Sequence, residues 1–572
     1  MYLAMRILNP LLWGCETILH GRALAALAIA WVTTAGHTMN FKEMDGAMGW
    51  ISAQGYGLHS ALLFSIAFGF ILAKKVGPLF SPLFLTRIGL IGLAAGSFIN
   101  GGLIHAPYSI CIAGRIIAGL GTGLVLFSSP SMIPPYLKNQ GAWAGIVIPA
   151  FAPGIVGTAT FMYGWSNWEG GFLFEGTLAV LALLLFIPDL EHAQSTNPAA
   201  FSWYSLIDLP FFASFLCGIW YLMHWGQLNG WWESNRVFLA AVCATFSLGL
   251  FLFFASTGQV VLAFKNLWPR LILVFYAGLV QYFNVSDMGV YGGIIVNFNV
   301  LQRPWLVWSI SFGGAAALAT GQFLHSFRSL PIFGLLILSL GMHLAHERTM
   351  GWNYWDPLNQ VEFNWFAAPQ HWQLAIPRFL MGFGVGWILL GMQNATSGSD
   401  ELEKQSKQQL VLFQFLGGAI SIGILVNYLL IGHQYQYSFT ADRGFIQQSI
   451  VEEYRGILES ELKTQGFIDP SRGSHSMMYK SVNYEADNLI FAHIYKMFSL
   501  TSLALALLFI FINMVKKMFA MLYPASSDGK KNLHCVKPNQ PHFAVHQLWF
   551  QAGIFHTAIL SKVCRHNQSI DG

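Results

Sequence analysis

Arg115-Ile-Ile-Ala-Gly119-Leu-Gly121-Thr-Gly123 and Arg378-Phe-Leu-Met-Gly382-Phe-Gly384-Val-Gly386 share one frame, R-x-x-x-G-x-G-x-G. Each opens an apolar run long enough to cross a hydrocarbon core, which takes roughly 20 residues of helix. A cation inside such a span costs at least roughly 2.5 kcal/mol on insertion scales unless it faces protein or water. Two arginines at matched places therefore point to one arrangement used twice. Small residues at close spacing let neighbouring helices approach, so the glycines read first as packing positions. A second pair of patterns precedes the first: Gly69-Phe-Ile-Leu-Ala-Lys74-Lys75 closes the second run, and Gly321-Gln-Phe-Leu-His325-Ser-Phe-Arg328 closes the tenth. Two patterns repeated in the same order predict two duplicated helix bundles, the construction common among membrane transporters.

The rest of the chain agrees with that frame. Of its 572 residues 55% are hydrophobic and 10% charged, against roughly 25% charged in a soluble domain. Too few charges remain to cover a water-facing surface. Apolar runs begin near Ile18, Met48, Pro82, Tyr108, Ala142, Gly171, Leu206, Val237, Leu271, Pro304, Leu330, His371, Leu410 and Ile490, which predicts about fourteen spans. They lack the period-two alternation of barrel strands, and in lipid every backbone amide must then be satisfied within a helix. The expected fold is an all-α polytopic membrane protein.

The net charge of +4 reports orientation rather than an anionic partner, and nothing points to nucleic acid. Lys74, Lys75, Lys138, Lys265, Arg270, Arg328, Lys404, Lys407, Lys516 and Lys517 share one side, and Lys42, Arg236, Arg303 and Arg348 the other. By the positive-inside rule both termini are cytoplasmic. The six cysteines (Cys15, Cys111, Cys217, Cys243, Cys535, Cys564) show no ligand spacing and read as free, buried small residues. The N-terminus lacks the pattern of a removable signal peptide. From about Gly432 to Tyr484 the chain leaves the bilayer as an outer loop. Within it Ile446, Ile450, Tyr454, Leu458 and Leu462 recur at helical spacing opposite Glu452, Glu453 and Arg455. The tail beyond Tyr523 reads as flexible or interfacial.

With these residues in place the chain resembles the major facilitator superfamily, specifically its fourteen-helix drug:proton antiporter branch, from about Ala23 to Val515. Arg115 to Gly123 is similar to that family's fourth-helix motif, and Gly69 to Gly77 to a worn form of its loop between helices two and three, keeping Lys74 and Lys75 without the usual acid. Asp208, Gly226 and Trp231-Trp-Glu-Ser-Asn-Arg236 resemble its two extra central helices. Gln414 to Gly423 resembles its thirteenth helix and Glu485 to Leu500 the entry to its last. The helix-five antiporter motif departs, reading Ala152-Pro153-Gly154-Ile155-Val156-Gly157, and the first-helix acid is replaced by Thr34-Ala-Gly-His37-Thr-Met-Asn40. The resemblance implies two six-helix bundles related by a pseudo-two-fold axis plus two linking helices. That divides the chain into a cytoplasmic segment 1–17, a first bundle 18–188, linking helices 206–256, a second bundle 268–516 with its outer loop at 433–484, and a cytoplasmic tail 517–572.

The transport and proton-coupling candidates are Arg115, Arg378, Asp287, His37 and Glu175. Intramembrane charges are functional by default, and the competing reading of each arginine is a structural tie to backbone carbonyls. Asp287, in Asn284-Val-Ser-Asp287-Met-Gly289, suits a cation or proton, or else sits solvated at the outer mouth. Glu175 falls near the outer start of the sixth span, which suggests the membrane interface. His37, the best placed of His37, His59 and His224, titrates near neutral pH, although a lone buried histidine is more often a plain hydrogen-bonder. Tyr56, Trp50, Tyr282 and Phe283 suit an apolar path or ordinary packing. Gly69, Lys74, Lys75 and Gly77 form the gating-loop motif; Gly119, Gly121, Gly123, Pro153, Gly157, Gly382, Gly384 and Gly386 form the packing motifs.

No HExxH, Walker loop or nucleophile elbow is present, so no enzyme, cofactor or metal is expected. The leading expectation is proton-coupled export of amphipathic small molecules by alternating access from a bacterial inner membrane. The outer loop is a docking place for a periplasmic adaptor, as the resembled exporters often work with one. Uptake of a nutrient, or export of a metabolite such as a siderophore, on the same fold is the alternative within transport. A membrane receptor or embedded enzyme is the alternative from another class.

Overall fold

Prolines and small residues set the helix boundaries. In the computed structural model, which describes residues 21–34, 41–103, 106–132, 151, 154–155, 158, 168–186, 206–257, 264–287, 302–324, 329–352, 371–394, 400–446 and 448–522, every regular element is helical. The helices are α1 (Gly21–Thr34), α2 (Phe41–Met48), α3 (Ser52–Val76), α4 (Pro82–Gly102), α5 (Tyr108–Ser128), α6 (Glu169–Leu184), α7 (Asp208–Trp225), α8 (Asn235–Thr257), α9 (Phe264–Asp287), α10 (Gln302–Phe323), α11 (Leu330–Trp352), α12 (His371–Asn394), α13 (Asp400–Ile446), α14 (Gln448–Thr464) and α15 (Pro470–Leu522). At the head of α4, the Ser81 side chain accepts from the Phe84 amide and Pro82 fills the first helical turn, where its missing N–H goes unneeded. Between α7 and α8 the chain reverses through Gly230, at φ 72°, a conformation that costs glycine nothing.

Eight of the described helices are long and apolar enough to cross a membrane, and Gly21–Thr34 and Trp305–Gly321 are shorter apolar helices beside them. Their exposed faces are apolar: Phe238, Leu239, Phe246 and Phe253 on α8, and Leu500 and Leu507 on α15, are all exposed. Lipid is the solvent that permits such faces. The fifth expected span, from Ala142, lies mostly outside the described residues. The chain divides into two units, Met1–Ile510 and Phe511–Gly572. Beyond the last turns of α15 the second unit, with the expected tail, lies outside the described residues.

The duplicated frame is a duplicated packing. α5 packs against both α3 and α4, and α12 against both α10 and α11. A Cβ on Gly119 would lie 2.5 Å from the Leu62 carbonyl of α3, and one on Gly123 2.5 Å from the Ile66 carbonyl. The intervening Gly121 turns to the Gly89 carbonyl of α4. In the other half Gly382 meets the Ile310 carbonyl of α10, Gly386 lies 2.7 Å from the Ala317 Cβ, and Gly384 lies 2.7 Å from the Gly334 carbonyl of α11. Alternate glycines thus face alternate neighbours, and only a missing side chain lets three backbones converge. Gly69 belongs to the same contact, against the Leu120 carbonyl, so it packs α3 on α5, and Gly77 caps α3.

Two expectations are corrected. At 433–484 the expected amphipathic helix is present, and the flanks expected as loop are largely helix as well. No proline falls between Pro377 and Pro470, so α13 runs on to Ile446, α15 starts at Pro470, and the amphipathic α14 lies between, with Leu462 buried and Glu452 and Glu453 exposed. Cys217 and Cys243 are exposed, not buried, because they lie on linking helices with lipid-facing surfaces. Glu175, expected near the membrane interface, is buried within the protein, for a reason that lies in its partner.

Candidate transport site

Arg115 is the eighth residue of α5 and Arg378 the eighth of α12. Both side chains turn inward: Arg115 is 1% exposed and Arg378 2%. Arg115 Nη1 lies 3.3 Å from Glu175 Oε2 on α6, which also accepts from Ser97 Oγ of α4 at 3.3 Å. The guanidinium carbon sits 4.8 Å above the Phe172 ring, one helical turn before Glu175. Burying two ions costs several kcal/mol each, and only mutual attraction with further hydrogen bonds offsets that. A lone Glu175 at that depth would be unfavourable, and Arg115 is what allows it inside. Among the described residues Arg115 Nη2 finds no acceptor.

Arg378 is held differently. Its Nη1 donates to the Asn284 carbonyl near the C-terminal end of α9 at 3.0 Å, and its Nη2 to the Tyr495 hydroxyl of α15 at 3.1 Å. Phe283 packs edge-on against Tyr495, with ring centroids 5.9 Å apart. In each half the arginine is met from the helix that packs on the middle member of its triplet: α6 packs on α4, and α15 joins α11 through Ser339 and Ser499.

The two halves meet along two lines. On one, α13 packs against α3: Tyr282 of α9 is hydrogen-bonded with Thr34 of α1, lies 6.3 Å from the His59 ring of α3, and stacks towards Phe415 of α13, which also meets Trp31 of α1. On the other, the Gly154 amide donates to Ser311 Oγ of α10 at 3.2 Å and Trp308 Nε1 to Thr158 Oγ1 at 2.8 Å. The helix-five stretch is therefore a contact between halves. Pro153 and Gly157 lie outside the described residues. So does His37, while Asp287 ends α9.

One buried ion pair could not be read from the sequence. Lys75, at the end of α3, donates to both oxygens of Asp208 at the start of α7, at 2.6 and 2.7 Å, both side chains buried. The loop motif lacks its own acid, and the linking helix supplies one from 133 residues away. At the other end of α7, His224 Nε2 meets Ser60 Oγ of α3 at 2.6 Å, a structural partner for a histidine considered above as a relay. Of the aromatic candidates, Tyr56 and Tyr282 are buried, Tyr282 on the line between halves, Phe283 packs against Tyr495 and Phe498 of α15, and Trp50 packs edge-on against Tyr108.

This geometry has solved relatives in shape. A peptide-transporter (POT) family structure in complex with a thioalcohol-conjugated peptide superposes with TM-score 0.54 at 12% identity, covering 86% of this chain and 96% of that one. The chain has the major facilitator fold. A peptide transporter in complex with sulfate gives TM-score 0.52 at 12% identity over 87% of this chain and 94% of the other. A bacterial homologue of the human lysosomal transporter Spinster gives 0.50 at 12% identity over 86% and 96%. No protein-family model matches the sequence, and no curated protein matches it. The likeness is one of fold: the chain shares the helical arrangement of these structures, and its apolar helices suit a lipid bilayer.

Proposed function

We propose that this chain is a proton-coupled secondary transporter that exports amphipathic small molecules by alternating access. It would work in a bacterial inner membrane with both termini cytoplasmic, bundles 18–188 and 268–516 as the moving bodies and 206–256 as their link. The observation that carries the reading is the buried Arg115–Glu175 pair. A carboxylate held only while an arginine neutralises it is a group whose protonation changes the balance of a whole bundle. When Glu175 takes a proton, Arg115 loses its counter-ion and turns its guanidinium towards other acceptors, including an anionic group of the cargo. When the proton leaves, the pair re-forms and the site closes. Arg378, Asp287 and His37 are secondary candidates on the same path. A periplasmic adaptor would dock at the outer projection that includes α14.

The helix-five departure favours a second reading, uptake or metabolite export on the same scaffold. Flux in sealed vesicles with imposed pH gradients, across a panel of lipophilic cations and organic anions, separates them. Export reads as cargo moving against the proton flow, and uptake as cargo moving with it. Flux of the whole panel that ignores the gradient, or a Glu175→Gln variant with unaltered gradient-driven flux, would sink proton coupling through this pair.

A further inference from the structure

Among the described residues the linking helix α7 makes polar contacts with α3 of the first half at both ends and with α13 of the second half at one. Towards the Lys74–Lys75 end, Asp208 holds Lys75 of α3 in a buried two-oxygen contact. Towards the opposite end, Trp220 Nε1 donates to the Gly57 carbonyl of α3 at 2.9 Å, and His224 Nε2 meets Ser60 Oγ at 2.6 Å. The stacked Phe68 and Phe212 rings, 6.3 Å apart, lie between. On its other flank α7 packs on α13, with its polar contact near one end: a Cβ on Gly423 would lie 2.6 Å from the Met223 Cβ, and Asn427 Nδ2 donates to the Met223 carbonyl as well as to that of Gly423. A third contact, Ser247 with Ser214, joins α7 to α8.

We infer that α7 is a working part of the first bundle rather than a tether between bundles. Asp208, Trp220 and His224 are positioning residues that make it ride with α3, and the Met223–Gly423–Asn427 contact is the latch that opens when the halves part on that side. The reason is the unequal fastening. Three polar contacts spread along the helix, one of them between buried opposite charges, hold α7 to α3, while among the described residues the polar contact to α13 is the one at Met223. A rocking motion between the halves breaks the weaker set. Gly423 has the size the latch requires, because any side chain there would lift α13 off Met223.

This inference rests on the alternating-access reading, and the experiment separates the two. Spin labels at the exposed positions Ile51, Leu228 and Tyr435, introduced as Ile51→Cys, Leu228→Cys and Tyr435→Cys in pairs on a chain freed of its native cysteines, report α3, the end of α7 and α13. Distances are read by pulsed electron resonance in lipid nanodiscs in acidic and alkaline buffer. The expected result is two populations for Ile51–Tyr435, the same two for Leu228–Tyr435, and one unshifted narrow distance for Leu228–Ile51. A Leu228–Ile51 distance that moves while Leu228–Tyr435 stays fixed overturns the inference and leaves alternating access intact. A single Ile51–Tyr435 distance in every condition overturns alternating access at this gate, and the inference with it. As a second measurement, Gly423→Leu, whose side chain has no room against Met223, should remove the shorter Ile51–Tyr435 distance, and two populations unchanged by that substitution also overturn the latch.

Discussion

Replacing Asp208 by asparagine removes the charge that Lys75 is buried against while keeping the size of the side chain. Lys75 is 9% exposed and Asp208 3%, so water cannot take over from the lost carboxylate. At the effective dielectric of about 20 that suits protein sites, unit charges 4 Å apart attract by about 4 kcal/mol, and here Nζ lies 2.6 and 2.7 Å from the two oxygens. Removing one partner of such a pair costs about 3–5 kcal/mol, because the other ion stays buried and uncompensated. Substituting both partners, Lys75→Met with Asp208→Leu, should restore most of that loss, since apolar replacements of similar volume are often neutral or better. The assay is reversible unfolding in mixed micelles titrated with a denaturing detergent, run as a double-mutant cycle. A single substitution within about 0.5 kcal/mol of the parent, the range of an ordinary surface change, or a double variant whose loss equals the sum of the singles, would refute the buried-pair account.

Further outcomes follow from other contacts. Gly384→Ala places a Cβ 2.7 Å from the Gly334 carbonyl and should destabilise by about 1–3 kcal/mol through overpacking. Gly249→Ala on α8 meets nothing within 4 Å and should stabilise by up to about 1 kcal/mol through helix propensity; both are read by the same unfolding titration, and equal signs would discredit the glycine frame. Arg115→Lys keeps the charge but loses the flat guanidinium over Phe172, so gradient-driven flux in vesicles should fall about tenfold, equivalent to about 1.4 kcal/mol; full activity would exclude a geometric role. Excising 448–469 should leave vesicle flux unchanged and lower export only in intact cells that contain an adaptor; full export in such cells would remove docking from the proposal.

The sequence carried the repeat because close helix contact has a local requirement. Gly119, Gly121 and Gly123 must be small wherever three backbones converge, and the same need at Gly382, Gly384 and Gly386 wrote the same letters again. Apolar length likewise placed most spans near their structural starts, as at Pro82, Tyr108, Leu330 and His371. What stayed hidden was the identity of partners. Glu175 lies 60 residues from Arg115 and Asp208 lies 133 from Lys75, and no spacing rule links such positions. Each acid taken singly looks like an interfacial or loop residue, since burial is tolerable only once the opposite charge is known to be there. The helix at Gln448–Thr464 was legible from its spacing, while its flanks were not, because α13 and α15 run on through polar sequence without a break in backbone geometry.

Repetition also shows where the halves part company. Both arginines occupy one place in one packing unit, yet the helix that reaches Arg115 presents Glu175 while the helix that reaches Arg378 presents Tyr495. A carboxylic acid ordinarily titrates near pH 4 and a phenol near pH 10. On the proposed coupling the matched contacts divide the work, the Glu175 carboxyl exchanging the proton against Arg115 and the Tyr495 hydroxyl only anchoring Arg378. Exchanging the groups tests that division. Tyr495→Glu should give the second half a protonatable partner for Arg378 and add a pH-dependent step to flux, whereas Tyr495→Phe should weaken the arginine's anchorage without changing the pH profile. A Tyr495→Phe profile that shifts as far as that of Glu175→Gln would place coupling on both halves and remove the distinction.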